Sequence, residues 1–251
     1  MKLALALFKY FPYGGLQRNF LAIARELAGR GHQVSVFTGG WEGERPDALH
    51  VVELPPRGLS NPARNRSFHE QLMTALDNDP HDLLVGFNKM PGLDVYYCAD
   101  TCFATRVDEE KSWLERLTPR VRWSLRYEQA IFSSDSPTEI LLLSRAEGDA
   151  YQRYYGTQDE RLHLMPPGIQ RDRVRGPDAA QLASSILEQL GLAPGQRVLV
   201  FLGSDYKRKG LDRALRALAA LPGAQRDNCV LLVVGRDKRQ PRYEKLAAEL
   251  G

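Results

Sequence analysis

The first forty residues alternate between short apolar runs and an amphipathic segment, and this alternation restricts the chain to few folds. Residues 3–8 are apolar, residues 9–18 form a turn that contains Gly14 and Gly15, and residues 20–28 carry apolar side chains at helical spacing. A second apolar run follows at residues 32–38. A strand, a helix and another strand within so short a segment predict a βαβ unit, which builds a parallel sheet with a right-handed crossover.

The same alternation continues and then begins again after residue 168. Apolar runs at residues 51–54, 82–87, 93–100 and 138–144 predict further strands, and runs at 196–203 and 229–235 predict a second, smaller sheet. A stiff Pro-Pro-Gly-Ile segment at residues 166–169 suits a domain boundary. We therefore expect an α/β chain with two Rossmann-like domains that face a cleft, residues 1–168 and 169–251. The second is incomplete, because two strands are too few for an independent sheet.

Composition excludes several classes of protein. The net charge is only +3, from 34 Lys and Arg residues against 31 Asp and Glu residues, so no nucleic acid partner is expected. Three cysteines, Cys98, Cys102 and Cys229, have no spacing typical of metal ligands and indicate reduced thiols in a cytoplasmic protein. No apolar run is long enough to span a bilayer, which indicates a soluble or peripheral protein.

The glycine turn is a candidate anion site. Gly14 and Gly15 lack Cβ, so their backbone can take positive φ and approach a ligand closely. The N–H groups at the start of the following helix favour an anion there. A plain connection between strand and helix explains an isolated glycine pair equally well.

A second turn, residues 203–210, places three cations between a strand end and a helix start. Gly203 begins it, and Lys207, Arg208 and Lys209 follow. A phosphate or diphosphate would bind these cations together with the helix N-terminus. The alternative is a solvated basic helix start, which is mildly unfavourable because cations oppose the helix dipole there.

Residues 103–132 combine tryptophans and arginines with an apolar pattern. Leu114, Leu117, Val121 and Leu125 predict one helical face. The neighbouring residues typical of an anionic membrane surface are Trp113, Arg116, Arg120, Arg122, Trp123 and Arg126. A core helix with a solvated basic edge is the alternative.

Together these features resemble the retaining GT-B glycosyltransferases of the large family that includes glycogen and sucrose synthases. The runs at residues 9–18, 41–43, 85–96 and 164–169 are similar in particular to glucosyltransferases that add hexose to heptose in the inner core of lipopolysaccharide. This resemblance covers the whole chain. It implies transfer of a hexose from a UDP-sugar to a lipid-linked heptose, with retention of configuration and without a bound metal or other cofactor. It also implies a peripheral position on the anionic cytoplasmic face of the inner membrane.

The resemblance also assigns roles to individual residues. Lys209 and Arg208 would neutralise the leaving diphosphate, and Arg173 would reach the same phosphates. Asp100 would contact the donor sugar or the acceptor hydroxyl, although a helix cap or a loop salt bridge explains it equally well. The remaining candidates are Gly14, Gly15 and Gly203 on the donor side and Arg18, Asn88 and Lys89 on the acceptor side.

The family's Glu-x-x-Gly region, which holds the donor sugar, would lie beyond Gly251, so the 251-residue chain looks truncated and by itself should be weak or inactive. Two alternatives stay open at this point. One is a transferase of the same fold for another acceptor, such as a glucan or phosphoinositol. The other is a non-catalytic module that binds a nucleotide or a membrane.

Overall fold

The computed structural model describes residues 1–166, 168, 174–193 and 195–251. The chain divides into two compact units, Met1–Ile169 and Gln170–Gly251. Seven parallel strands form one sheet in the first unit, in the order β3-β2-β1-β4-β5-β6-β7, which confirms the predicted parallel α/β architecture. These strands are β1 (Lys2–Leu7), β2 (Gln33–Thr38), β3 (His50–Glu53), β4 (Leu83–Gly86), β5 (Val95–Cys98), β6 (Glu139–Leu142) and β7 (Leu162–Leu164).

Apolar side chains cover both faces of this sheet. Along β1, Ala4 and Ala6 belong to one buried cluster, whereas Leu3, Leu5 and Leu7 belong to another, because successive side chains of a strand point to opposite faces. Burial on both faces explains the near-continuous apolar runs of the strands. The helices of this unit are α1 (Gly15–Gly29), α2 (Asn61–Asn78), α3 (Phe103–Glu110), α4 (Trp113–Arg116), α5 (Pro119–Phe132) and α6 (Arg145–Tyr155).

The strand order reverses between β1 and β4. From β1 the chain first runs outward to β2 and β3, and then returns to place β4 on the other side of β1. Open α/β sheets bind ligands at such a point, outside the carboxyl ends of the strands. The Asn88 side chain links the carboxyl ends of β4 and β1, since its Oδ1 accepts a hydrogen bond of 2.7 Å from the Phe8 N–H.

The second unit contains a smaller sheet. Strands β8 (Arg197–Leu202) and β9 (Cys229–Val234) pair in parallel along their whole lengths, as predicted. A small buried cluster of Tyr206, Leu211 and Tyr243 packs beside them. The helices are α7 (Ala179–Gln189), α8 (Tyr206–Lys209), α9 (Leu211–Ala219), α10 (Gly223–Arg226) and α11 (Gln240–Leu250).

The prediction of one helical face through residues 114–125 is wrong. Leu114 and Leu117 are each 61% exposed, whereas Val121 is buried. The chain breaks between α4 and α5 because Ser112 and Glu115 form a capping box that starts α4, and Pro119 starts α5. Proline lacks an N–H and has a fixed φ, so the first helical position suits it and the interior does not.

Candidate functional site

A cavity of about 290 Å³ lies at the carboxyl end of β4 and β5 in the first unit. It brings together Asn88, Lys89 and Asp100, which the sequence had proposed for the acceptor or donor sugar. Arg120 and Trp123 line it as well, although the sequence had assigned them to a membrane surface. The other lining residues are Phe8, Asn65, Thr101, Phe103, Arg106, Ser124 and Tyr127.

Two protein groups already accept hydrogen bonds from the Lys89 ammonium. It donates to the carboxylate of the fully buried Glu128 and, at 3.0 Å, to the Thr101 carbonyl. An ammonium has three hydrogens, so one remains for a ligand. Lys89 therefore lines the cavity mainly as the counter-ion of a buried acid, a role that differs from the direct acceptor contact expected from the sequence.

Glu128 is the centre of a buried polar network. Its carboxylate accepts hydrogen bonds from the N–H groups of Phe103 (2.8 Å) and Ala104 (2.9 Å) at the start of α3, and from the Tyr155 hydroxyl (2.8 Å). A buried charge is tolerated only with such partners, and the N-terminus of a helix favours an anion. Burial, followed by the Glu128 charge, raises the pKa of Tyr155, so its hydroxyl stays a donor.

Side chains of α6 hold the segment between β5 and α3 at two of its backbone groups. The Tyr151 hydroxyl donates to the Asp100 carbonyl (3.0 Å), and the Cys102 N–H donates to Glu147 Oε2 (3.0 Å). Burial raises the pKa of the adjacent Cys98 thiol to about 12, so this thiol is protonated near neutral pH. The Asp100 side chain is exposed and forms no ion pair within the described part of the chain. A fixed backbone with a solvent-accessible carboxylate suits ligand binding.

The sequence analysis missed Glu128 and Tyr151. The one signal for Glu128 was its position: it stands seven residues after Val121 and three before Ile131, on the face of α5 that is buried. An acid on an apolar face indicates a buried partner, which the sequence alone does not name.

The two glycines of the first turn differ in their surroundings, and the predicted positive φ is absent from both. Gly14 caps α1 with φ −80°, and a Cβ there would lie 1.8 Å from Gln17 Oε1. A Cβ on Gly15 would meet no atom within 4 Å. Arg18, in the first turn of α1, is exposed. A Cβ on Gly14 would therefore displace the Gln17 and Phe11 side chains, whereas Gly15 borders open space.

The remaining membrane candidates are not equivalent. Trp113 is 71% exposed, and Arg122 and Arg126 are exposed too. Arg116 is also exposed, but its guanidinium forms an ion pair with Asp108 (3.4 Å) and donates to the Asp108 carbonyl (2.9 Å). Trp123 does not face outward as expected: it is half-buried, with its ring centroid 4.1 Å from that of Tyr127. Across the described ranges, no helix is both long and apolar enough to cross a membrane.

In the second unit, the three predicted phosphate-binding cations lie on the single turn α8 and not at the start of α9. All three side chains are exposed to solvent. Arg208 Nε lies 3.0 Å from Asp205 Oδ2, whereas Lys209 has no carboxylate partner among the residues that the structure describes. The Lys209 stem lies over Gly203, since a Cβ on that glycine would be 3.7 Å from Lys209 Cε.

The carboxyl ends of β8 and β9 meet beside this turn. A Cβ on Gly235 would lie 2.1 Å from the Gly203 carbonyl oxygen, so only glycine fits there. Asp237 links the ends by accepting from the N–H groups of Arg239 (2.7 Å) and Tyr206 (2.8 Å), and these bonds lower its pKa. The result is an exposed lysine at the edge of a tight backbone junction. Arg173, the other predicted phosphate ligand, lies outside the described residues, as does part of the bend at 166–169.

Comparison with known proteins agrees with this architecture. The family model described as Glycosyltransferase Family 4 matches residues 13–173, and the one described as Glycosyl transferases group 1 matches residues 184–251. The chain is 41% identical to the lipopolysaccharide glucosyltransferase WaaG of Escherichia coli K12, over all of this chain and 67% of WaaG. This chain therefore spans about two thirds of that relative's length.

Two solved structures are similar. A crystal structure of WaaG, described as a glycosyltransferase involved in lipopolysaccharide biosynthesis, superposes with a TM-score of 0.91 over 99% of this chain and 67% of WaaG. Anabaena HepE, solved with UDP and glucose, matches with a TM-score of 0.67 over 100% of this chain and 66% of HepE, at 16% identity, and so shows the fold alone. The chain belongs to glycosyltransferase family 4 and shares the GT-B fold of WaaG.

Proposed function

We propose that the protein transfers a hexose from a UDP-sugar to heptose of the lipopolysaccharide inner core, with retention of configuration. The identity of 41% over this chain to a lipopolysaccharide glucosyltransferase supports a lipopolysaccharide acceptor and a glucosyl donor. The first unit supplies the acceptor side, through Asn88 and Asp100 at its cavity. The second unit supplies the donor side, through the turn that carries Lys209.

The observation that carries the proposal is the position of Lys209. Its side chain is exposed, forms no ion pair with any residue in the described ranges, and lies over Gly203 at the carboxyl end of β8. Departure of UDP creates negative charge on the diphosphate, and a cation at that position stabilises the transition state more than the ground state. Arg208 would first have to break its ion pair with Asp205, so we expect it to contribute less than Lys209 to the stabilisation of the diphosphate.

Replacement of Lys209 tests this assignment. In the intact protein, Lys209→Ala should lower kcat/KM for the UDP-sugar by about 10²–10³-fold, the usual cost of removing one group that stabilises developing charge. Calorimetry should also show weaker binding of UDP. Lys245→Ala is a matched control, because Lys245 is an exposed lysine of the same unit that pairs with Glu249. Wild-type turnover in Lys209→Ala, or no binding of UDP by the unaltered protein, would contradict the proposal.

The acceptor is lipid-linked, so we further propose that the protein docks on the anionic cytoplasmic face of the inner membrane. The tip formed by α4 supports this, because Trp113, Leu114 and Leu117 are 61–71% exposed there. Tryptophan and leucine partition into the headgroup region of a bilayer, and nearby arginines attract anionic lipids. Arg122 and Arg126 are the exposed cations of α5 that suit this role.

A further inference from the structure

The cavity of the first unit holds more positive charge than a neutral sugar requires. Arg106, Arg120 and Asp100 are among its lining residues, and all three are exposed to solvent. The charge of Lys89 is already matched by Glu128. Neither Arg106 nor Arg120 forms an ion pair with a residue in the described ranges. Within the described part of the chain, the lining of the cavity therefore has two unpaired positive charges and one unpaired negative charge, which favours an anionic ligand.

The two arginines come from different helices. Arg106 lies on α3, and its guanidinium carbon is 5.1 Å from the centre of the Phe103 ring, a cation–π contact. Arg120 lies in the first turn of α5. A planar guanidinium presents paired N–H donors that match the oxygens of a phosphate or a carboxylate. Two such groups on one small cavity favour an anionic ligand.

The rest of the cavity suits a sugar ring. Trp123 and Tyr127 pack with ring centroids 4.1 Å apart and supply an aromatic wall. Asn88 and Asp100 supply the polar groups that would bind hydroxyls. The volume of about 290 Å³ lies just below the usual range of about 300–1,000 Å³ and suits one substituted monosaccharide.

We propose that this cavity binds an acceptor sugar that carries a phosphate or a carboxylate, and that Arg106 and Arg120 bind this anionic group. The inference rests on the proposed function, because it assigns the cavity to the acceptor. It gives Arg120 and Trp123 a role in acceptor recognition in place of the membrane contact expected from the sequence.

Titration calorimetry of the intact protein with three probes tests the inference: a methyl heptoside, its monophosphate, and the corresponding sugar with a carboxylate. The unaltered protein should bind at least one charged probe about tenfold more tightly than the neutral probe, as expected for hydrogen bonds to charged groups. Arg120→Gln and Arg106→Gln should each reduce this preference. Arg25→Gln, which changes an exposed arginine of α1, should keep it.

Three outcomes would overturn the inference: equal affinity of the unaltered protein for all probes, no binding of any probe, or an unchanged preference in both cavity variants. Sedimentation with anionic vesicles distinguishes an anionic group on the acceptor sugar from an anionic lipid headgroup. If Arg120→Gln weakens vesicle binding and leaves the sugar affinities unchanged, the arginine serves the lipid surface and the acceptor site is wrong. Charge-dependent sugar binding without any hexose transfer would contradict the proposed function alone.

Discussion

Gly14 and Gly15 are adjacent, yet the structure constrains them for different reasons. Gly14 is closed in by Gln17, whose Nε2 donates to the Lys9 carbonyl (3.2 Å), and by the ring of Phe11. Gly15 is the first residue of α1 and has open space where a Cβ would be. Packing within this unit therefore does not explain a glycine at position 15. Close approach of a ligand to the backbone would explain it.

A pair of alanine substitutions separates the two roles. Gly15→Ala should keep or slightly raise the melting temperature, because alanine loses less conformational entropy on folding, by about 0.4–1 kcal/mol. It should nevertheless lower kcat/KM for hexose transfer about tenfold or more, because a methyl group displaces a ligand from its reactive position. Gly14→Ala should instead lower the free energy of unfolding by about 1 kcal/mol. Full activity of Gly15→Ala would show that no ligand approaches this backbone.

At the scale of elements, the short helix α4 decides where apolar side chains are exposed. Ser112 and Glu115 begin it with a capping box, and Pro119 prevents it from continuing into α5. Trp113, Leu114 and Leu117 therefore point outward in place of joining the core. The Ser-x-x-Glu pattern and the proline were visible in the sequence, so the break was predictable from local rules. The apolar periodicity across it was misleading.

Replacement of the α4 tip tests its proposed contact with a membrane. Trp113→Ser combined with Leu117→Ser should weaken sedimentation with anionic vesicles at least about tenfold, because burial of each such side chain contributes about 1.5–3 kcal/mol. The melting temperature should stay close to that of the unaltered protein, since both side chains are exposed. Leu59→Ser is the control, since Leu59 is a still more exposed leucine outside α4. Equal losses in the control, or unchanged vesicle binding of the double variant, would contradict membrane docking by α4.

For the whole molecule, we propose that protein cations and backbone amides neutralise the UDP leaving group without a divalent ion. Lys209 and the junction of Gly203 with Gly235 are the described groups that suit this role. Hexose transfer should then continue at an unchanged rate after dialysis against excess EDTA. Loss of activity that Mg²⁺ or Mn²⁺ restores would show that a metal ion takes part. An enzyme known to need Mg²⁺ is the control for complete chelation.

Local sequence patterns predicted the parallel sheets well. The runs that became β1, β2 and β4 are short and apolar, and a strand buried on both faces needs such a run. The end of α6 also follows a local rule, because the helix stops at Gly156, which takes the left-handed conformation that glycine favours. Consecutive residues carry this information, because periodicity and caps act within a few positions of the chain.

Only the tertiary structure determined what the cavity contains. Lys89 meets Glu128 across 39 residues, and the Tyr151 hydroxyl meets the Asp100 carbonyl across 51. Packing of α5 and α6 beside the ends of β4 and β5 creates these contacts, and it also turns Trp123 inward. The sequence by itself determined the strands, the turns and the residues available for chemistry. Which of them share a cavity depends on long-range packing, which no short window of residues encodes.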